Sequence, residues 1–232
     1  MYKKKIFKKV EKKYNSYQEE GTVGYLMKLC HLQLEKNSFF NKFDKKSQIL
    51  EIGAGSSPHF NYISHMFGKY IFLENSKFAI NYLKQKFKRN KKLRYKTYNG
   101  KKIPFKSNCF DRIIISHVLE HIPEPEHFLK DMMEKLKKGG ILSISLPCDP
   151  CDPGALWRMG RFFLKIFTVK NKLKISNIEY DYMIATEHIN SIFNLKSIIK
   201  YKYSKNVIQE RYLPARIKFT DLNLFYNITL RK

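Results

Sequence analysis

The chain has few cysteines and no long apolar stretch, and these two features argue against a disulfide-rich protein and a membrane-spanning one. Only four cysteines occur in 232 residues, so the fold cannot depend on the dense disulfide framework of small secreted domains. No apolar run approaches the roughly 20 residues that a membrane-spanning helix needs. The basic N-terminus is followed by no apolar signal core, so we expect a cytoplasmic protein with reduced thiols.

Two of the four cysteines form the sequence Cys-Asp-Pro-Cys at 148–151. Such a pair can bind zinc or cycle between thiol and disulfide, but a structural zinc site normally needs a second pair of ligands. Cys30 and Cys109 stand alone, and a proline-bearing exit from a strand does not resemble the start of a redox-active helix. We therefore expect ordinary thiols.

Acidic residues are scarce as well. The chain has 20 acidic residues against 45 basic ones, a net charge of +25. Ten basic residues and no acidic one lie between Lys84 and Lys102, a pattern that a nucleic acid could exploit. However, only eight of the 45 basic residues are arginine, and abundant lysine accompanied by Asn, Ile, Tyr and Phe indicates compositional drift. We expect a solvated face and rank a nucleic-acid partner below a small molecule.

What the sequence does contain is an alternation of strand and helix patterns. Length, 43% hydrophobic residues and 28% charged ones are typical of one globular domain. Alternating strands and helices predict a parallel sheet, and further helices precede and follow the alternation. The predicted strands are 48–52, 69–74, 93–97, 110–116, 140–146, 205–213 and 223–231, and the predicted helices are 57–67, 76–89, 125–138, 154–169 and 189–202, with one or two more in 22–43.

The most informative stretch is Ile-Leu-Glu-Ile-Gly-Ala-Gly at 49–55. A short apolar strand runs there into a turn with two glycines around one small residue. The next apolar strand ends on a carboxylate, Glu74, 19 residues after Gly55. In an open α/β sheet these strand ends lie side by side, so the glycines let backbone approach a ligand while the acid accepts from ribose hydroxyls. The pattern predicts a nucleoside site.

The residues that follow distinguish between nucleosides. A dinucleotide fold places a further glycine and a helix N-terminus against a pyrophosphate, whereas this chain continues Ser-Ser-Pro-His at 56–59. S-adenosyl-L-methionine has a ribose but no pyrophosphate, so it needs the close backbone approach and the acid without an anion cradle.

Three downstream motifs agree with that cofactor: Asn-Gly-Lys-Lys-Ile-Pro-Phe at 99–105, Phe-Asp-Arg-Ile-Ile-Ile-Ser-His-Val-Leu-Glu-His-Ile-Pro at 110–123, and Leu-Lys-Lys-Gly-Gly-Ile-Leu at 136–142. Together with the glycine turn, they make residues 45–147 resemble the class I methyltransferases. The nearest group is the broad small-molecule family that includes the ubiquinone and menaquinone C-methyltransferases.

The resemblance implies a fold and a division of the chain. The fold would be Rossmann-like α/β, with a seven-stranded, mostly parallel sheet and an antiparallel last strand. The sequence would form one domain with helical additions at its N-terminus and over its acceptor pocket. Its parts would be a basic arm and cap helices at 1–47, the cofactor-binding core at 48–147, an acceptor-covering insertion at 148–188, and a closing helix and strand hairpin at 189–232.

The resemblance also implies which residues meet the cofactor. Those expected on its methionine side belong to the first strand and the glycine turn, and Glu74 would meet the ribose. Asn99 stands where the family usually has an aspartate for the adenine amino group, and asparagine accepts through its carbonyl oxygen. The full predicted set is Glu51, Gly53, Ala54, Gly55, Glu74, Asn99, Gly100, Ser116 and His117.

Catalysis is less defined, because methyl transfer from a sulfonium depends mainly on positioning. A hydroxyl acceptor must also lose a proton, and histidine suits that near pH 7. The candidates are His117 and His188, whereas His121 resembles a motif residue found across the family whatever the substrate. No metal is expected, since nothing in the spacing of Glu120 and the nearby aspartates at 149 and 152 demands one.

The acceptor is predicted only as a class. A basic amphipathic helix at 155–169 would suit an anionic or lipid-linked acceptor and peripheral membrane contact. The stretch after the fifth strand is similar to methyltransferases encoded for surface-polysaccharide modification. These features favour a small-molecule, saccharide or lipid-linked acceptor methylated at a sugar hydroxyl. The alternatives are an RNA methyltransferase or a basic nucleic-acid-binding protein without turnover, and the sequence leaves the oligomeric state open.

Overall fold

The structure, a computed structural model, describes residues 21–88, 90–148, 176, 178–179, 182 and 186–232. These residues form seven strands and four α-helices. The strands are β1 (Gln48–Ile52), β2 (Lys69–Glu74), β3 (Leu93–Thr97), β4 (Phe110–Ser116), β5 (Leu136–Pro147), β6 (Val207–Pro214) and β7 (Asn223–Arg231), and the helices are α1 (Gly21–Lys36), α2 (Lys77–Lys86), α3 (Pro125–Lys135) and α4 (Ile192–Tyr203).

The sheet has the predicted topology. Its strand order is β3-β2-β1-β4-β5-β7-β6, and only β7 runs antiparallel to its neighbours β5 and β6. The chain order reverses between β1 and β4, and the carboxyl ends of these strands flank the crevice where open α/β sheets bind ligands. The Rossmann-like α/β prediction is therefore confirmed.

Both faces of the sheet are buried, as a parallel sheet requires. Along β1, Leu50 and Ile52 face the larger core cluster, whereas Ile49 faces a smaller cluster rich in aromatic residues. All three side chains are fully buried. Burial on both sides explains why these strands read as near-continuous apolar runs and could be located from the sequence.

One predicted helix is wrong. Residues 57–67 contain only a single 3₁₀ turn, His59–Tyr62, after which Ile63 adopts an extended backbone. The apolar spacing of Phe60, Ile63 and Phe67 is compatible with a helix, but these side chains pack against the aromatic cluster from an irregular segment. Phe60 lies edge-on to Tyr70 at 4.9 Å, so burial is achieved without helical hydrogen bonds.

The other observed elements differ from the predicted ones by a few residues at their ends. For example, α3 ends at Lys135 and β5 begins immediately afterwards at Leu136. The predicted helix at 154–169 and the Cys-Asp-Pro-Cys pair beyond Cys148 lie outside the described residues. In the part of the chain that is described, no helix has the length and apolar character needed to cross a bilayer.

A buried ionic network fastens α1 to the centre of the sheet. Arg112 of β4 is fully buried, and its Nη1 donates to Glu35 Oε2 of α1 at 2.6 Å. The same guanidinium donates to the Leu34 carbonyl and to Ser143 Oγ. This network fixes the N-terminal helix over the sheet close to the crevice.

Candidate functional site

The glycine turn after β1 has the backbone that its sequence predicts. Gly53 has φ +65° and Gly55 has φ +53°, a left-handed region that costs glycine little. A Cβ on Gly53 would lie 2.3 Å from Val118 Cγ2, because the loop after β4 packs directly on the turn. Gly53 is therefore required both by its backbone and by this close approach.

Gly55 differs from Gly53 in what surrounds it. A Cβ on Gly55 would meet no heavy atom within 4 Å, so the turn opens there into free space. Its amide donates to Glu74 Oε2 at 2.9 Å, which brings the ends of β1 and β2 together. A backbone approach and a carboxylate thus border the same opening.

The Glu74 carboxylate is held by backbone amides. Besides Gly55, the amides of Asn75 and Ser76 donate to Glu74 Oε1 at 2.8 and 3.3 Å, and Glu74 is 8% exposed. A carboxylate offers about four acceptor positions, and the three amides occupy three of them, so one position on Oε2 remains for a ribose hydroxyl.

Glu51 supports the turn from below. It is 3% exposed, and its Oε2 accepts from the Ser57 hydroxyl at 2.7 Å and the Tyr70 hydroxyl at 2.8 Å. Burial raises the pKa of this carboxyl to about 7, against the lowering effect of these two donors. The side chain braces the turn, which holds Ala54 buried between the two glycines.

Asn99 and Gly100 lie where β3 ends. Asn99 is exposed, and its Oδ1 accepts from the amides of Lys101 and Lys102 at 3.0 and 3.4 Å. Gly100 has φ +77°, and a Cβ there would lie 4.0 Å from Asn75 Nδ2. The loops after β2 and β3 therefore lie side by side, and Asn99 borders an open groove of about 550 Å³.

Ser116 and His117 lie at the end of β4. The Ser116 hydroxyl oxygen is buried and has no hydrogen-bond partner among the described residues. His117 has φ +55°, its amide donates to the Ser145 carbonyl at 3.0 Å, and its ring lies edge-on to Phe225 at 5.4 Å. A non-glycine residue in this conformation is uncommon and indicates a loop held in place by its surroundings.

The structure brings together a group that the sequence separates. Glu120 and His121 follow β4 in a short 3₁₀ turn, Leu119–His121, and His188 precedes α4. The His121 and His188 rings lie 4.9 Å apart at 77°, and His121 Nε2 is 3.8 Å from Glu120 Oε1. The sequence analysis named both histidines separately, and no local pattern in the sequence indicates that they meet.

Two hydrogen bonds of Asn190 hold His188 beside His121. Its amide donates to the Glu120 carbonyl at 3.0 Å, and its side-chain Nδ2 donates to the Ile122 carbonyl at 2.7 Å. These bonds dock the segment before α4 onto the loop after β4. The predicted acceptor-side and cofactor-side residues are therefore neighbours in the fold.

These observations fit S-adenosyl-L-methionine. The opening at Gly55 is space that a side chain would fill, the Glu74 carboxylate borders it, and the buried Ser116 hydroxyl has unused hydrogen-bonding capacity. No phosphate cradle accompanies them, because the chain after Gly55 forms only a 3₁₀ turn. The donor set suits a nucleoside without a pyrophosphate.

Comparison with known proteins agrees with this geometry. Residues 50–144 match a family described as "Methyltransferase domain". None of the curated proteins compared with the sequence matches it significantly.

Many solved structures share the fold. A SAM-dependent methyltransferase from Aquifex aeolicus is 15% identical with a TM-score of 0.57, over 88% of this chain and 91% of that one. The N-methyltransferase NodS from Bradyrhizobium japonicum, in complex with S-adenosyl-L-homocysteine, is 12% identical with a TM-score of 0.63, over 98% of each chain.

The [4+2]-cyclase SpnF is 10% identical with a TM-score of 0.66, over 98% of this chain and 94% of that one. At these identities the likeness shows the fold alone, and the cyclase illustrates that one fold carries different reactions. Residues 50–144 are therefore similar to a methyltransferase domain, and the chain has the Rossmann-like fold of the class I SAM-dependent methyltransferases.

Proposed function

We propose that the enzyme methylates a hydroxyl of a small or lipid- or nucleotide-linked acceptor, with a sugar as the substrate class. The observation that supports this most strongly is the position of three histidines at the loop after β4. Val118 of that loop lies against Gly53, so the loop borders the opening predicted for the cofactor. Histidines at this point can take a hydroxyl proton near pH 7.

Each predicted cofactor residue has a distinct task in this proposal. Gly53 and Gly55 let backbone approach the methionine side, and Glu74 accepts from a ribose hydroxyl. Asn99 and Gly100 border the adenine. Ser116 supplies the hydroxyl with spare capacity. Glu51 and Ala54 act on the turn itself, since both are buried behind it.

When bound, the cofactor supplies a sulfonium methyl group, which passes to the acceptor oxygen while the S–C electron pair stays on sulfur as S-adenosyl-L-homocysteine. The chain has to align the acceptor, exclude water and accept one proton. His188 and His117 are the proposed bases. His188 is half-buried and close to His121, whereas the His117 Nε2 lies 3.9 Å from Cys30 Sγ.

The proposed division of the chain follows the same logic. Residues 48–147 carry the cofactor site, the segment 148–188 would cover the acceptor, and 189–232 supply α4, β6 and β7. The basic helix predicted at 155–169, with its proposed contact to a lipid surface, lies outside the described residues.

An RNA acceptor is the second candidate, because the net charge is +25. The stripe from Lys84 to Lys102 lies on α2, on β3 and in the adjoining loops, and β3 is an edge strand separated from β4 by β2 and β1. That position places most of the stripe away from the loop after β4. Lys86 is an exception, since its Nζ donates to the Ser56 carbonyl at 3.1 Å.

The test is transfer of labelled methyl from S-adenosyl-L-methionine into a fractionated lysate, with and without ribonuclease. Label in a ribonuclease-resistant saccharide or lipid-linked fraction is the expected result. Label that disappears with ribonuclease would overturn the proposal in favour of RNA. RNA binding would also weaken steeply between low and moderate salt, because each phosphate contact releases counterions.

A further inference from the structure

Glu120, His121 and His188 form a cluster whose donor atoms all lie within 4.8 Å of one another. The sequence gave no sign of this cluster, because His188 lies far from Glu120 and His121 along the chain. Glu187, the neighbour of His188, is 66 residues from His121 and contacts its ring through a backbone carbonyl. The fold creates the cluster by docking the segment before α4 onto the loop after β4.

The tautomer of His121 is decided by its hydrogen bond. His121 Nδ1 lies 2.7 Å from the Glu187 carbonyl oxygen, and a carbonyl can only accept, so Nδ1 carries the hydrogen. In a neutral ring Nε2 then carries the lone pair through which an imidazole coordinates a metal. This Nε2 lies 3.8 Å from Glu120 Oε1.

The other two members of the cluster complete a set of three possible metal ligands. Glu120 is 2% exposed, so its carboxylate lies inside the fold beside the His121 ring. A second imidazole, His188, stands at the same point with its ring 4.9 Å from that of His121. A metal-bound histidine typically has this arrangement, with its other ring nitrogen donating to a backbone carbonyl.

We propose that Glu120, His121 and His188 bind a divalent first-row transition metal ion, Zn²⁺ or Mn²⁺. Two imidazoles and one carboxylate form the donor set of catalytic zinc and of other open two-histidine, one-carboxylate centres. Magnesium and calcium prefer all-oxygen sites. Bonds of about 2.0–2.2 Å require the three donor atoms to close in on the ion.

Three protein ligands leave a coordination position for a substrate oxygen. Glu120 and His121 follow Val118, which packs on the glycine turn, so the site lies close to the opening proposed for the cofactor. A bound cation lowers the pKa of a coordinated hydroxyl, and the released proton passes to solvent or to His117. This catalytic role rests on the proposed function, whereas binding of the ion does not.

The test uses the full-length chain without a histidine tag, dialysed against chelator, and titrates it with Zn²⁺ in a calorimeter. Co²⁺ replaces Zn²⁺ in a parallel optical titration, because its visible spectrum reports ligand geometry. Native protein should bind one ion, and Glu120→Gln and His188→Gln should each weaken binding at least about 100-fold. Urea unfolding of each variant checks that it is folded.

A matched control is the exposed pair at the start of α3, in which His127 Nδ1 lies 2.9 Å from Glu124 Oε2. This pair has a histidine and a carboxylate but no third ligand among the described residues, so His127→Gln should bind Zn²⁺ as the native chain does. Native protein without micromolar Zn²⁺ binding would overturn the proposal. Equal binding by Glu120→Gln and native protein would overturn it too.

The two proposals fail separately. Methyl transfer that tracks the expected acceptor but ignores chelator, in a chain that binds no metal, would remove the metal centre alone. One Zn²⁺ bound through Glu120 and His188, in a chain that methylates RNA, would remove the acceptor assignment and keep the metal centre.

Discussion

Two glutamates close to the cofactor opening, Glu51 and Glu74, have different surroundings and different expected roles. Glu74 receives three backbone amides and borders open space. Glu51 lies one strand away, and both of its hydrogen-bond donors are hydroxyls in the core. We therefore expect Glu74 to bind a ligand and Glu51 to stabilise the fold.

Replacing Glu74 should weaken cofactor binding without unfolding the chain. Glu74→Gln loses the charge and one acceptor oxygen, and a hydrogen bond to a charged group contributes about 1.5–3 kcal/mol. The dissociation constant for S-adenosyl-L-homocysteine should rise about tenfold or more, measured by calorimetry. Glu124→Gln, at an exposed glutamate, is the control and should leave the constant unchanged; equal affinity in both variants would contradict the role of Glu74.

Replacing Glu51 should change how stability depends on pH. Its folded-state pKa of about 7 is above the ordinary value of 4.5, so the folded chain holds a proton that the unfolded chain has released between those values. Stability is then lost as pH rises from about 4.5 to 7, by up to about 3 kcal/mol. Glu51→Gln keeps an acceptor for Ser57 and Tyr70 but cannot titrate.

The stability of Glu51→Gln should therefore increase relative to that of the native chain as pH rises from about 4.5 to 7. The measurement is the free energy of urea unfolding at several pH values, compared between the two proteins. A constant difference from pH 4.5 to 8 would show that Glu51 does not titrate with a raised pKa.

Local spacing made part of the site predictable. The glycines and Glu74 follow the carboxyl ends of two adjacent parallel strands. Their positions in the sequence were therefore enough to predict that they lie together. The direction of the Glu51 side chain was not predictable, because both faces of β1 are buried and no alternation of polar and apolar residues marks its side. The meeting of His121 with His188 depends on how α4 docks, which no local pattern encodes.

At the scale of elements, α1 is held against the sheet by a buried ion pair as well as by apolar packing. Its contact with β4 passes through Glu35 and Arg112, and the hydroxyl and amide of Ser64 also donate to Glu35 Oε1. His59 Nε2 lies 3.6 Å from Glu35 Oε2. Burial acts to raise the pKa of Glu35, but the hydrogen bond from His59, the charge of Arg112 and the Ser64 amide hold this pKa well below its ordinary range.

Breaking this network from one side should be costly. Glu35→Gln leaves the Arg112 charge buried without its carboxylate, which typically destabilises by about 3–5 kcal/mol. The double variant Glu35→Gln/Arg112→Met removes both charges and should lose less than the sum of the two single variants, by about 1–3 kcal/mol. Urea unfolding of the four proteins provides the measurement.

The control for this cycle is the exposed pair Lys202–Glu126, whose atoms lie 2.9 Å apart. Exposed ion pairs contribute little, so Glu126→Gln should change the unfolding midpoint only slightly. Strictly additive effects of the Glu35 and Arg112 substitutions would show that these residues do not act as a unit.

Elements were predictable where propensity and burial agree. Runs such as Ile113-Ile114-Ile115 in β4 are β-branched and fully buried, so strand was the favoured state. The segment 57–67 was predicted wrongly because its apolar spacing is that of a helix, while tertiary contacts with the aromatic cluster and the Glu35 network determine its path. Ser57, with φ +48°, already departs from a helical backbone.

At the scale of the whole molecule, buried histidines set the response to acid. Burial lowers the pKa of His31 well below 6.5, helped by the nearby His59 and His117, and burial also lowers the pKa values of His59 and His65. The unfolded chain therefore binds more protons below pH 6.5, and stability is lost as pH falls. This effect opposes that of Glu51.

His31→Phe should flatten the acid side of the stability curve. Both ring nitrogens of His31 are buried without a hydrogen-bond partner among the described residues, and the ring stacks on Tyr62 at 5.6 Å. Removing one titrating group should reduce the slope of unfolding free energy against pH, below pH 6.5, by up to about 1.4 kcal/mol per unit. The exposed His127→Phe is the control, and equal slopes in both variants would contradict this role.

The central claim is that the opening between Gly55 and Glu74 holds the methyl donor. The most direct measurement is calorimetric titration of S-adenosyl-L-homocysteine into the native chain, Gly55→Trp and Gly139→Trp. Both glycines have positive φ and no heavy atom near an added Cβ, so the two substitutions share the backbone strain, but Gly139 lies within β5, far from the turn in sequence. We predict that native protein and Gly139→Trp bind and that Gly55→Trp does not; binding by all three proteins would contradict the site.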